Sequence, residues 1–358
     1  MPNDTRPRYN ASDLCDLTTG VFASFGIPQA DAELGASVLI DADLAGIESH
    51  GIAHLPWHPG YAPGLARGIV KATPEVKVLR ETPVSAAWDG DGGVGVIVAP
   101  KAMEACITKA EASGIGMITV TGGRHFGAAG YYAHMAAKRG LIGMAMCNVP
   151  PIAVAAGGLE RVYGTNPIAM AAPVEGGEPF LLDIATTAVA GGKLEIAARQ
   201  GKRLPAGWAV NADGTDSDDP LILRSGGALL PLGSRMGTSS YKGYGLGLMV
   251  DILTGALSGL GSALFVDRAQ LEQGFWFAAW RIDLFRDPAD FRAEMKRMSD
   301  HIRATTPAPG VAAVLMPGDP EHAARRDRTA NGIPLDAETI EQLTTLAAER
   351  GVHMPAPR

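Results

Sequence analysis

The stretch Gly90-Asp91-Gly92-Gly93-Val94-Gly95 decides how the fold is read. It matches G-x-G-x-x-G, follows the strand-like run Val84-Ser85-Ala86-Ala87-Trp88 and precedes an Ala-rich helical run over 99–112, the setting of a Rossmann dinucleotide loop. Such a unit also needs an Asp or Glu at the end of the next strand to hold the ribose. After Met117-Ile118-Thr119-Val120 the chain offers Thr121, Gly122 and Gly123 instead. A second strand-like run, Val76-Lys77-Val78-Leu79, also precedes the glycines, so this is not the usual opening strand of such a unit. The glycines therefore read as a tight turn inside an α/β protein.

Working outward, short β-rich runs alternate with Ala-rich helical ones: a helix over 128–139 and the run Ile142-Gly143-Met144-Ala145-Met146 continue the rhythm. Residues 11–45 carry helical spacing, strongest over 31–44, and the chain from 287 onward returns to a charged helical pattern. This predicts a helical domain built from both ends, residues 1–75 together with 287–358, packed on a central α/β domain over 76–286. Residues 211–220 are polar and turn-rich and read as a surface excursion. Residues 244–266 are nearly all apolar, but Asp251 lies inside them and a carboxylate costs a few kcal/mol at a bilayer centre, so a buried core helix is expected there rather than a membrane span.

Composition narrows the function. The 358 residues carry 31 Lys+Arg against 38 Asp+Glu, a formal net charge of -7 with no basic cluster, so neither a nucleic-acid nor a membrane partner is expected. Cys15, Cys106 and Cys147 are too few and too scattered for a disulfide framework or a Cys-based zinc site. With a polar Met1-Pro2-Asn3-Asp4 start and no apolar leader, a cytoplasmic protein is expected.

Five segments could carry chemistry. Glu48-Ser49-His50-Gly51-Ile52-Ala53-His54-Leu55-Pro56-Trp57-His58 holds three of the eight histidines at spacing four. On one helix face His50 and His54 could hold a metal, but Pro56 and Pro59 interrupt it and no E-x-x-H accompanies it, so no metal is expected. Ser49 orienting His50 for proton transfer is the functional reading, and a helix-terminal histidine satisfied by backbone is the structural one. The second segment, Gly122-Gly123-Arg124-His125-Phe126-Gly127-Ala128-Ala129-Gly130, lies between strand and helix, where backbone N–H groups can meet an anion. The others are Gly164-Thr165-Asn166-Pro167, Leu182-Asp183-Ile184-Ala185-Thr186-Thr187 at a strand end, and Tyr241-Lys242-Gly243-Tyr244-Gly245 opening an apolar helix.

In this order, Ser49-His50-Gly51, His125-Phe126-Gly127, Gly164-Thr165-Asn166-Pro167, Asp183-Ile184-Ala185-Thr186, Gly191-Gly192-Lys193, Tyr241-Lys242-Gly243-Tyr244 and Gly318-Asp319-Pro320-Glu321 resemble the type 2 malate/lactate dehydrogenase family over nearly the whole chain. The resemblance implies a non-Rossmann, sulfolactate dehydrogenase-like α/β fold with a central mixed sheet flanked by helices, and a homodimer with its active site near the interface. It implies NAD or NADP as cofactor and hydride transfer between the nicotinamide and a small 2-hydroxy or 2-oxo acid. His50 would be the proton donor and acceptor, Ser49 its relay partner and His125 a second active-site histidine. His125, Phe126, Gly127, Thr165, Asp183, Ile184, Ala185, Lys242, Gly243 and Glu321 fall where the family contacts cofactor.

Two departures stand out. The family usually places a carboxylate-clamping Arg at the position of His54, and the usual small residue before His125 is Arg124. Either His54, charging near pH 6 to 7 (roughly, the ordinary histidine range), or Arg124 is expected to hold the substrate carboxylate. Lys193 matches the dehydrogenase branch. The alternatives on this scaffold are a reductase of cyclic imino acids, of the piperideine or pyrroline-2-carboxylate type, and a non-catalytic nucleotide-binding paralogue.

Overall fold

In the computed structural model, residues 5–358 are described, and the polar residues 1–4 of the start lie outside them. Seven strands form the main sheet: β1 (Lys77–Glu81), β2 (Ser85–Asp89), β3 (Ile115–Gly123), β4 (Ile142–Cys147), β5 (Ile168–Ala172), β6 (Phe180–Ile184) and β7 (Gln273–Trp280). Their order is β1-β2-β3-β7-β4-β5-β6. β2 and β3 are parallel, and β7 inserts antiparallel between β3 and β4, so the sheet is mixed. The sequence of β7, Gln-Gly-Phe-Trp-Phe-Ala-Ala-Trp, is almost continuously apolar, which suits a central strand covered on both faces.

Helices α1 (Ala11–Ser24) and α2 (Gln29–Leu44) precede the sheet, α3 (Gly95–Ser113) joins β2 to β3, and α4 (Ala129–Lys138) joins β3 to β4. α5 (Gly191–Arg199) and α6 (Ser240–Asp251) follow β6, and α7 (Asp319–Asn331) and α8 (Ala337–Arg350) lie towards the C-terminus. Gly35 of α2 faces Ile97 of α3, where an added Cβ would sit 2.9 Å from Ile97 Cγ1, so the N-terminal helices pack closely on the sheet layer. Strand residues Arg8–Tyr9 pair with Ile333–Pro334. Arg325 grips Asp41 through two hydrogen bonds of 2.8 and 2.9 Å, and Arg328 and Arg6 share the Glu48 carboxylate. Each such partly shielded pair contributes on the order of 1 kcal/mol. Together they pin α7 and the chain start around the segment that carries Ser49 and His50.

Local readings are corrected at two places and extended at a third. The helix expected over 99–112 begins four residues earlier, at Gly95, the last glycine of the fingerprint. The stretch 211–220 is turn-rich and largely at the surface, as expected, and in addition holds the strand Asp216–Ser217, part of a second, five-stranded sheet whose members are two or three residues long and whose core includes Tyr163, Leu194 and Leu229. Residues 244–266 are not one buried helix. α6 ends at Asp251, a π-helical turn follows over Ile252–Ala256, and Gly259 and Gly261 at φ +87° and +92° end regular structure, leaving Ile252, Leu257 and Phe265 exposed. Asp251 is buried and accepts hydrogen bonds from Asn148 Nδ2 (2.9 Å), Ala263 N (3.1 Å) and Ser262 Oγ. No helix among the described residues is long and apolar enough to cross a membrane.

Candidate active site

The segment after α2 folds into two short 3-10 turns, Glu48–His50 and Ile52–His54. Asp43, in the last turn of α2, holds them by accepting the Ile52 N–H at 2.7 Å. Burial raises its pKa to about 7, while that N–H and Arg328 pull the other way. The turns bring together what one helix face would have: His50 and His54 ring centroids lie 5.9 Å apart, and His58 stacks on His54 at 5.0 Å. His125 arrives from just beyond β3, 5.7 Å from His50 and 4.4 Å from His58. Among the described residues no group of His, Cys, Asp and Glu has the arrangement to hold a metal ion.

Hydrogen bonds assign the rings different tasks. Ser49 Oγ lies 2.9 Å from His50 Nδ1, which leaves Nε2 for a ligand. Helix α5 begins so close to Ser49 that a Cβ on Gly192 would sit 2.7 Å from the serine Cβ. Tyr61 Oη lies 2.6 Å from His125 Nδ1. Burial drives the Tyr61 hydroxyl pKa far up, so it stays protonated and donates to Nδ1, leaving His125 Nε2–H as a donor. Burial also lowers His50 and His58 to about 4. His54 and His125 lie well below the ordinary value, by burial first and then by the neighbouring histidines, with Arg199 adding to the effect on His54. The cluster is uncharged at neutral pH.

These four histidines line one cavity of about 760 Å³ together with Ser49 and Thr165. α5 and residues 220–224 also contribute to its wall, with Glu195, Arg199 and Arg224. Arg199 Nη1 pairs with Asp336 (3.4 Å) and donates to Thr339 Oγ1 (3.2 Å). Arg124 lies outside the cavity lining: its guanidinium donates to the carbonyls of Gly123 (3.1 Å) and Ile69 (3.3 Å) and sits 3.8 Å from Glu272. The expectation of a His54 clamp that charges near pH 6 to 7 (roughly, the unperturbed range) does not fit a ring whose buried surroundings keep it neutral. Tyr61, Arg199, Arg224 and Gln273 escaped the sequence reading. The last three line the cavity and Tyr61 bonds to His125, yet each stands in an unremarked stretch of sequence.

Of the expected cofactor residues, His125 and Thr165 line this cavity. Thr165 is set by the Asn166 turn, φ +37°, whose Nδ2 donates to Gly247 O at 2.8 Å while Thr186 Oγ1 donates to the Thr165 and Asn166 carbonyls. Phe126 is buried against Tyr132 and Phe275, and its carbonyl accepts from the Tyr132 hydroxyl. Gly127 and Gly130 lead into α4, and Gly130 N donates to Asp183 Oδ2 at 2.7 Å at the end of β6, followed by Ile184 and Ala185. Burial, with Glu321 adding repulsion, raises the Asp183 pKa to about 6 although the Gly130 N–H opposes it, so Glu321 of α7 faces the same strand end. Lys242 and Gly243 lie in the first turn of α6, where Gly243 packs on Leu232, whose N–H bonds to Thr186 O at 3.0 Å. These residues comprise a strand end, two helix N-termini, two carboxylates, a lysine and a threonine, of which Thr165 lines the histidine cavity. That donor set fits a hydroxyl-rich, phosphate-bearing dinucleotide.

The family model for malate/L-lactate dehydrogenase matches residues 9–344. A malate dehydrogenase of Pyrococcus abyssi is 39% identical over 96% of this chain and 95% of its own length. An L-sulfolactate dehydrogenase of Methanocaldococcus jannaschii is 35% identical over 94% and 96%. The crystal structure of malate dehydrogenase from Entamoeba histolytica superposes with a TM-score of 0.94 at 28% identity, covering 98% of this chain and all of that one.

Proposed function

The chain belongs to the malate/L-lactate dehydrogenase family, oxidoreductases of CH–OH groups, and on that premise we propose that it moves a hydride between NAD or NADP and C2 of a small 2-hydroxy or 2-oxo acid, with His50 as proton donor and acceptor. The observation that carries this reading is the Ser49–His50 contact of 2.9 Å in a cavity wall shared with His125.

The bound nicotinamide would supply the hydride chemistry, held by Thr165, the Phe126 and Gly127 backbone, Asp183-Ile184-Ala185, Lys242-Gly243 and Glu321. The protein moves the proton. In the oxidative direction a neutral His50 keeps its Nδ1–H hydrogen-bonded to Ser49 Oγ and accepts the substrate hydroxyl proton at Nε2, becoming an imidazolium. A depressed pKa keeps that base available at neutral pH. His125 Nε2–H, fixed by Tyr61, donates to the same oxygen as it becomes a carbonyl. In reduction His50 returns the proton, and the negative charge of the bound acid favours the imidazolium that must form. Arg199 is the cation placed to receive the substrate carboxylate, since Arg124 is engaged elsewhere. The reading includes a homodimer. It is supported by the exposed apolar strip Tyr241, Met249, Ile252 and Leu257, continued by Leu264 and Phe265.

The test is reduction of 2-oxo acids followed at the nicotinamide absorbance with both cofactors. His50→Ala should lower kcat by about two to four orders of magnitude, the range for a lost general acid, with cofactor affinity retained. Ser49→Ala should cost less, because the serine orients the ring without carrying the proton. A His50→Ala enzyme at wild-type rate would remove His50 from the mechanism.

A further inference from the structure

His58 lines the histidine cavity and takes no part in the proton transfer proposed above. Its main chain is tied on both sides: its N–H donates to His54 O at 2.9 Å, its carbonyl accepts the Tyr61 N–H at 3.0 Å, and Pro59 restricts its backbone. The ring is tied too, because the Gly60 N–H donates to its Nδ1 at 3.1 Å. Burial pulls its pKa down to about 4, so the ring is neutral, and a neutral ring that accepts at Nδ1 carries its proton on Nε2. That N–H has no hydrogen-bond partner among the described residues. Nor is it sealed: the unpartnered polar atoms shut off from solvent are His54 Nδ1, Arg124 Nε and Gln273 Oε1. His58 Nε2–H is therefore a fixed donor that a ligand in the cavity can reach.

The ring packs next to His125, with centroids 4.4 Å apart. Gly60 permits that closeness, since a Cβ there would sit 2.8 Å from His125 Cβ and 3.1 Å from His58 Nδ1. Ring contacts run from His50 to His125 at 5.7 Å and on to His58. Two neutral Nε2–H donors, each fixed through its Nδ1, thus stand side by side, and the proton-transferring His50 adjoins the first. With His125 serving the oxygen on C2, His58 serves the next position along the substrate. An oxygen acceptor there completes its hydrogen bond, whereas an alkyl group displaces water and leaves the N–H unpaired.

Resting on the hydroxy-acid reading above, we infer that His58 is a specificity-determining residue whose Nε2–H donates to an oxygen on C3 of the substrate, favouring 2-hydroxy acids with a hydroxyl or carbonyl at C3 over those with a plain alkyl chain. The test compares 2-hydroxybutanoate with the diastereomers of 2,3-dihydroxybutanoate, which add one hydroxyl. Each is titrated calorimetrically into the full chain, alone and with NADH or NADPH present to prevent turnover, and oxidation of each is measured with NAD and NADP. The better-bound dihydroxy acid should bind about ten-fold tighter than 2-hydroxybutanoate, as expected for one neutral hydrogen bond completed in a shielded site. His58→Phe keeps a ring beside His125 without the donor and should bring the two acids level. Should that variant not fold, His58→Met, which also lacks the donor, gives the same readout. His58→Gln, which offers an amide N–H, should restore most of the preference. Equal binding of the two acids by the wild type, a preference that survives loss of the donor, or a fall in kcat of equal size for both acids would each overturn the inference, the last because His58 would then serve the reacting oxygen. If the binding preference holds and neither acid is turned over with either cofactor, the selectivity of His58 stands and the dehydrogenase reading falls.

Discussion

The molecule has two glycine-rich junctions from strand to helix, and they behave oppositely. The first, Gly90 to Gly95 between β2 and α3, matches a dinucleotide fingerprint and sits in a parallel β-α-β unit. Yet a Cβ on Gly95 would overlap the carbonyl oxygens of Arg124 and His125, and one on Gly93 would press on Pro74 at 2.6 Å. At both glycines the room beside the backbone is filled by the protein's own chain. The second, Gly122 to Gly130 between β3 and α4, matches no such fingerprint, and it delivers His125 to the cavity and the Gly130 N–H to Asp183. Glycine spacing records that backbone must come close to something. It does not say whether that something is a ligand or the next turn of the same chain.

The largest effect that would sharpen this contrast is at the second junction. His125→Ala removes a donor held by Tyr61 against the reacting oxygen, and kcat should fall on the order of 10²- to 10³-fold, as for other preorganised donors. Tyr61→Phe should lose less, because the ring stays in place with its tautomer freed. If His125→Ala kept kcat, the second junction would be as structural as the first.

A smaller effect, of another kind, is expected at the first junction. Gly95→Ala forces the helix start away from the Arg124–His125 backbone and should cost about 1–3 kcal/mol of stability, the usual price of overpacking, read as a fall in Tm by several degrees. Cofactor affinity should follow only what is lost through His125. A variant of unchanged Tm that no longer binds NAD or NADP would break the comparison and return the fingerprint to its conventional role.

Most of this contrast was visible in the chain before folding, and the missing parts share a cause. The alternation of β2, α3, β3, α4 and β4 is written in local periodicity, and the absent acidic residue after β3 already argued against the fingerprint. What could not be read is non-local. Insertion of β7 between β3 and β4 joins residues some 130 positions or more apart, for instance Phe277 with Ala145. The second sheet uses strands too short to show a period. Arg199 and Gln273 matter only because α5 and the start of β7 close over the histidines. The titration of His54 is the sharpest case, because its residue type suggests a switch near neutrality and only the assembled surroundings show a ring kept neutral.

The smallest expected effect is a change that should not occur. With His54 held well below the ordinary histidine value, its charge does not alter between about pH 5.5 and 8.5, a window around the unperturbed pKa. On the proposed reading the carboxylate is received by Arg199, and substrate KM should stay flat across that window. The oxidative kcat depends on neutral His50 and should fall only as pH drops towards its pKa of about 4, since protonation there removes the base. Arg199→Ala should raise KM at every pH, by about ten-fold or more for a lost charge-assisted contact, whereas His54→Gln should leave the profile flat. A wild-type KM that climbs through pH 6 to 7 (roughly the free histidine range) and is flattened by His54→Gln would show that His54 does take up a proton beside the substrate. The carboxylate would then be bound on the histidine side of the cavity, close to the second junction, and not at the α5 wall.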